Sequence, residues 1–186
     1  MNKYLFIFFS FCALSCTKKV YLKKIESYLN ASTVEAKSKL MAEDYRSFFA
    51  EKKGAGKDKQ TALRSFSEWD APMHPDIEIL NYSVDGDTYT VHFNEENQFT
   101  KLIGYPGWKG TGQFRFDANK MIKEFIYIPD DSNPSYTPYL KPALDWLQKN
   151  MPNELNEVYR NKQLVQTKEA AKKWVVLLTS WKERTK

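Results

Sequence analysis

Cysteine is almost absent from the 186-residue chain: it occurs twice, at Cys12 and Cys16, and nowhere after. A disulfide-stapled fold and a thiolate metal site are thereby excluded from everything downstream. Histidine is equally scarce, with only His74 and His92, so a conventional zinc site lacks ligands and no metal is expected. Seven glycines and eight prolines without a period exclude collagen-like and low-complexity chains. No apolar run approaches the ~20 residues of a membrane-spanning helix. Lys109-Gly110-Thr111 reverses the order a phosphate-binding loop needs, and no Ser/His/Asp signature of nucleophilic catalysis is present. The net charge of +5 comes from lysines dispersed among glutamates, without a nucleic-acid reading motif. No cofactor and no nucleic acid is expected.

What is present is core material. Forty-two per cent of the residues are hydrophobic and 15% aromatic, enough to pack about one domain of this length.

The first residues read as an address. Lys3 is followed by the apolar stretch Tyr4–Leu14, then Ser15, Cys16 and the basic pair Lys18-Lys19. That stretch is too short to span a bilayer and suits the apolar region of a signal peptide. Ala13-Leu14-Ser15-Cys16 resembles the box of a bacterial lipoprotein signal. The resemblance implies cleavage after residue 15 and palmitate-type acylation of Cys16. It departs from the usual pattern, which has Leu three residues before the cysteine. Ordinary secretion with cleavage near Ala13 or Ser15 is the alternative. Several acyl chains on one cysteine anchor a protein stably, so the expected partner is the bilayer and the expected location is the cell envelope. Lys18, Lys19, Lys23 and Lys24 then lie near lipid headgroups or form a solvated helix face.

Val20–Leu29 has helical spacing through Tyr21, Ile25 and Tyr28. Ser32-Thr33-Val34-Glu35 has the form of a capping box and predicts a second helix, with Leu40, Met41, Tyr45, Phe48 and Phe49 as its apolar stripe. Glu51–Lys59 reads as an exposed loop. A third helix carries Ala62, Leu63, Phe66 and Trp69 and ends at Ala71-Pro72-Met73-His74-Pro75. The period then changes. Ile77 to Val84 alternates, Asp85-Gly86-Asp87 is a hairpin turn, and Tyr89, Val91 and Phe93 alternate with Thr90, His92 and Asn94. Phe99–Ile103 is a further candidate strand, and Gly104–Gly112 a glycine-rich loop in which Tyr105 and Trp108 cover the core or edge a pocket. Gln113–Asp117 and Met121–Ile128 are two more strands around Ala118-Asn119. The last third is helical, with stripes at Leu140, Ala143, Leu144 and Leu147, at Leu155, Val158 and Tyr159, and at Ala171, Trp174, Val175, Leu178 and Trp181 behind a Thr167 cap. Helices, then an antiparallel sheet, then helices predict an α+β fold.

The order of three segments resembles the nuclear transport factor 2-like superfamily, in its SnoaL-like branch. They are the hairpin Val84–Val91, the segment Gly110-Thr111-Gly112 leading to Phe114-Arg115-Phe116-Asp117, and Asn119-Lys120-Met121-Ile122-Lys123-Glu124-Phe125. The resemblance spans about Thr33–Asp130. Where the branch's last turn usually has glycine this chain has Asn119, which also tolerates positive φ. The resemblance implies a cone: a curved antiparallel sheet wrapped around N-terminal helices, here with extra C-terminal helices. The expected organisation is residues 1–15 signal, 16–31 tether and first helix, 32–138 cone, and 139–186 helical extension. It also implies an outer sheet face at which a homodimer forms.

Strand alternation places His92 and Arg115 on that outer face. The last strand offers two faces, Ile122, Glu124, Ile126 and Ile128 or Met121, Lys123, Phe125 and Tyr127. With the first inward Glu124 is the one candidate for an acid or base inside the cone, and otherwise it pairs with a lysine at the surface. His74, between loop prolines, reads as a loop residue. Tyr45, Trp69, Phe93, Phe116 and Tyr127 are candidates to line a cavity for a small apolar ligand, or simply to fill the core. Three functions remain open. The first is a non-catalytic module binding a small apolar ligand or a partner protein. The second is an isomerase-, dehydratase- or cyclase-type enzyme, as the branch implies. The third is an envelope scaffold docking through an exposed stripe at Trp174, Leu178 and Trp181.

Overall fold

The structure is a computed structural model and describes residues 19–185. The signal segment and Cys16 lie outside the described residues. The fold is α+β, built on a curved six-stranded sheet.

Helix α1 covers residues 19–29. Its apolar face, Ile25, Tyr28 and Leu29, is buried against the sheet residues Met41, Tyr45, Val91, Phe93, Phe114 and Ile122. Each such side chain contributes roughly 1.5–3 kcal/mol on burial. Helix α2 (Val34–Ser38) starts where expected, with the Thr33 hydroxyl accepting from the Ala36 amide at 3.1 Å.

The predicted continuation of that helix is wrong: Met41–Phe49 is strand β1. The reason lies in a bulge. Met41 pairs with Ile122 and Arg46 with Glu124, so β1 carries extra residues between those two pairings. The bulge breaks the alternation: Met41, Ala42 and Tyr45 are buried while Glu43 and Asp44 face out, a pattern that imitates a helix.

A short strand β2 (Lys57–Asp58) precedes helix α3 (Lys59–Ser65), which Asp58 caps. A π-helical turn, Phe66–Asp70, links α3 to helix α4 (Ala71–Met73). His74 ends this run in the left-handed region at φ 52°. Strands β3 (Asp76–Asp85) and β4 (Thr88–Glu96) form the expected hairpin around Gly86, at φ 56°. Tyr89, Val91 and Phe93 face the core and His92 faces out, as the alternation requires.

Phe99–Ile103 is not a strand. It belongs to helix α5 (Gln98–Ile103), enclosed by an Asn97/Thr100 capping box and by Gly104 at φ 73°. Those two ends turn a short apolar run into a helix that buries Phe99 and Ile103 together. The glycine-rich loop is also shorter than expected, because strand β5 begins at Trp108 and runs to Phe116. Strand β6 is Ile122–Pro129, and the positive φ of the preceding turn falls on Lys120 rather than Asn119. The sheet order is β2-β1-β6-β5-β4-β3; β1 and β6 are parallel and the other pairs antiparallel.

Helices α6 (Thr137–Asn150) and α7 (Pro152–Val158), a small hairpin of β7 (Tyr159–Arg160) and β8 (Gln163–Leu164), and α8 (Lys168–Arg184) complete the chain. Thr167 caps α8 as predicted. Trp174, Leu177 and Leu178 are buried with Met73, Phe99, Ile103 and Tyr105 in a second core. The Trp174 indole N–H donates to the Val158 carbonyl at 3.1 Å. The stripe at Trp174 and Leu178 is therefore packed and Trp181 is half-buried, which removes the observation a scaffold function needed. Among the described residues no helix is long and apolar enough to cross a membrane.

Candidate functional site

The cone is not filled. A cavity of about 970 Å³ opens between the C-terminal end of α1, strands β1, β4 and β6, and the α3–π-turn segment. Aromatic rings line much of it. Phe93 and Tyr127 stack with centroids 5.9 Å apart, and Phe48, Phe66 and Trp69 line the same space. Gly110 makes room for this arrangement: a Cβ there would lie 2.4 Å from the Tyr127 ring. Gly112 does the same for Phe114 and Phe125, whose rings stack at 4.7 Å.

Polar groups gather at the end of α1. The hydroxyls of Tyr28 and Tyr45 are 2.6 Å apart. Burial pushes the Tyr45 phenol up to about 12 and that of Tyr28 well above its ordinary value. Lys37, from α2, donates to the Tyr28 carbonyl at 2.8 Å, and its ammonium lies 4.0 Å above the Tyr28 ring and 4.5 Å above Phe66. Asp70, at the end of the π turn, and Glu95, on β4, line the same cavity.

The charges of these three groups are suppressed. Burial holds the Lys37 ammonium down to about 8, against the opposing pull of Asp70 and Glu95. Burial, and then the charge of Asp70, push the Glu95 carboxyl up to about 7, while Lys37 pulls it down. Burial raises Asp70 too, opposed by Lys37 and Lys57. Asp70 is nonetheless an exposed residue at the edge of the cavity, so its charge is the least suppressed of the three. A carboxyl that titrates near neutrality is able to give or take a proton at physiological pH.

The sequence candidates divide. Tyr45, Trp69, Phe93 and Tyr127 line the cavity. Phe116 does not: it packs at the other end of α1, on Tyr21 and Tyr89, with centroids 4.5 and 5.5 Å away. Glu124 is not in the cone. Arg115 pairs with Glu124 but its neighbour Phe116 pairs with Ile122, so a bulge at Lys123 puts Ile122 and Glu124 on opposite faces despite their two-residue spacing. Glu124 instead forms ion pairs on the outer face with Lys52 and, at 3.9 Å, with Arg115. His92 also lies outside, with Nδ1 2.9 Å from the Thr111 hydroxyl. His74 faces a separate groove beside Ser67 and Lys172. Tyr105 is buried, and Trp108 lines the cavity. Among the described residues no three His, Cys, Asp or Glu side chains converge as a metal site would require.

Lys37, Asp70 and Glu95 were not anticipated. Glu95 was within reach, because the inward series Tyr89, Val91, Phe93 simply continues one step to it. Asp70 closes the π turn at an exposed position that no apolar period marks. Nothing local marks Lys37.

No protein-family model and no curated protein matches the chain. Several crystal structures are similar in outline. Rv0760c from Mycobacterium tuberculosis is 16% identical, with a TM-score of 0.48, over 61% of this chain and 92% of its own. The Δ5-3-ketosteroid isomerase from a Mycobacterium species is 14% identical at a TM-score of 0.48, over 61% of this chain and 95% of its own. A nuclear transport factor 2-like protein from Cytophaga hutchinsonii is 10% identical at 0.45, over 59% and 89%. Likenesses at this level do not extend to activity.

Proposed function

We propose that this protein is an exported, membrane-tethered lipoprotein of the cell envelope whose cone receives one small, largely apolar molecule. The observation that carries the binding reading is the cavity itself, a space of about 970 Å³ lined in large part by aromatic rings, with Tyr28, Tyr45, Lys37, Asp70 and Glu95 among its polar residues. Ligand pockets of about 300–1,000 Å³ commonly combine apolar walls with a few orienting polar groups. The apolar body of the ligand lies along Phe93 and Tyr127, and its one polar group meets the charged end. The tether is acylated Cys16, on the strength of the Ala13–Cys16 box.

Native mass spectrometry of the protein purified from its host tests the binding reading. A single small molecule retained per chain is the expected result. A chain that arrives empty and takes up no apolar probe contradicts it.

A second reading rests on one further observation. Glu95, with its carboxyl at about 7, faces the same space as the Tyr127 phenol. That is the equipment of a proton-transfer enzyme of isomerase or dehydratase type. Solvent-deuterium exchange into a retained ligand, abolished in Glu95→Gln, supports it; undiminished exchange in that variant excludes it.

A further inference from the structure

Three lysines line the cavity, Lys37, Lys53 and Lys57. Lys53 pairs with Glu51, and Lys57 donates to the Ser65 hydroxyl at 3.3 Å. Lys37 donates to the backbone carbonyl of Tyr28, at the C-terminal end of α1, and of the three it is the one that lies over the Tyr28 and Phe66 rings. Capping that helix accounts for the one bond. It does not account for two carboxyl side chains in the same cavity, from different elements, whose charges act on the amine without an ion pair to it. A lysine kept only for structure is normally neutralised by direct pairing when buried. An amine next to weak acids, in an apolar space with room for a guest, is the arrangement used to capture carbonyl compounds.

We propose that Lys37 is a covalent capture site for an aldehyde or ketone with an apolar body, bound reversibly as an imine. The inference rests on the cavity being the ligand site. The lone pair of the neutral Nζ attacks the carbonyl carbon, and the carbonyl oxygen takes a proton to give a carbinolamine. That oxygen then leaves as water. One of the water's hydrogens comes from the amine and the other from the Glu95 carboxylic acid, which becomes a carboxylate. The product is a protonated imine beside that carboxylate, so atoms and charge balance without an oxidant or reductant. The suppressed basicity of Lys37 helps: with its ammonium held down to about 8, roughly a tenth is free amine at pH 7, far above the fraction in an ordinary lysine. The titratable groups that share the cavity with it are Asp70, Glu95, Glu51, Lys53, Lys57 and the phenols of Tyr28, Tyr45 and Tyr127. Burial raises the Asp70 carboxyl and pushes that of Glu95 up to about 7.

The test uses the folded chain, cinnamaldehyde as a neutral apolar aldehyde, and cyanoborohydride to fix any imine. Peptide mapping after short exposure at pH 7 is expected to find Lys37 labelled at least ten-fold faster than Lys39 or Lys141. The labelling saturates and is blocked by the apolar dye N-phenyl-1-naphthylamine. Lys37→Arg, which keeps the charge, loses the fast labelling while its circular dichroism and melting temperature stay those of the wild type. Labelling of Lys37 no faster than that of the surface lysines overturns the proposal, as does fast labelling that survives in Lys37→Arg. If the dye binds the wild type but Lys37 stays unlabelled, only this inference falls. If the dye does not bind at all, the cavity reading falls with it.

Discussion

The hydroxyls of Tyr28 and Tyr45 lie 2.6 Å apart, joining the helix inside the cone to the first strand of its wall. The bond is buried, so removing one partner takes a hydrogen bond from the other. Tyr45 keeps Ser47 as a neighbour, and Tyr28 has no other side-chain partner among the described residues. Tyr28→Phe or Tyr45→Phe is expected to lower stability by about 1–3 kcal/mol. The double variant is expected to be less unstable than the two single losses summed, because no orphaned hydroxyl remains. Urea unfolding of the four proteins checks this.

The charged end of the cavity gives stability a distinctive pH dependence. Glu95 is raised to about 7 from 4.5, so between those values the folded protein holds a proton that the unfolded chain has lost. Stability is then present below pH 4.5 and is lost as pH rises through 7. Lys37 acts in the other direction at higher pH. Its ammonium is lowered to about 8 from 10.5, so the unfolded chain binds the extra proton and stability recovers from pH 8 towards 10.5. Glu95→Gln is expected to stabilise the protein by about 1–3 kcal/mol at pH 8 and hardly at all at pH 4. Chemical denaturation at the two pH values measures the difference.

Gly110 and Gly112 hold the ring stack open. Gly110→Ala drives a methyl into the Tyr127 ring and is expected to cost about 1–3 kcal/mol. It also narrows the cavity, so apolar dye binding weakens beyond what the stability loss explains. Equal dye affinity in the variant contradicts the role given to Tyr127 as a wall.

The C-terminal helices belong to the fold. Trp174 is fully buried, 5.5 Å from Phe99 by ring centroid, and bonded to Val158. Trp174→Ala is expected to lose about 3–5 kcal/mol. Deleting residues 139–186 exposes Met73, Phe99, Ile103 and Tyr105 together and is expected to yield aggregated protein. A soluble, cooperatively melting truncation contradicts that expectation.

The tether is tested by Cys16→Ala. The variant is expected in the soluble envelope fraction, while the wild type sediments with membranes and incorporates labelled palmitate. Membrane retention of the variant, with no label in the wild type, removes the lipoprotein reading.

Regular elements were legible from residue patterns, and irregular ones were not. The β3–β4 hairpin follows from Gly86 and strict alternation, and α8 from Thr167 and its apolar stripe. Strand β1 was hidden because its bulge breaks the alternation, burying Met41, Ala42 and Tyr45 while Glu43 and Asp44 face out, as on a helix. A second bulge, in β6, reversed the side on which Glu124 stands relative to Ile122. A bulge is set by pairing with a strand far along the chain, so no local period announces it. Four of the five aromatic candidates reach the cavity because ring size and alternation are local properties. The meeting of Lys37, Asp70 and Glu95 is tertiary: three elements supply one residue each, and only Glu95 continues a visible pattern.

The central claim, that the cone is an open ligand site, is tested most directly by titrating N-phenyl-1-naphthylamine into the wild type and Ala62→Trp. Ala62 lines the cavity, and an indole there occupies space without removing any polar group. With circular dichroism unchanged, the wild type is expected to bind one dye per chain and the variant at least ten-fold more weakly. Equal binding by the two, or none by either, contradicts the account.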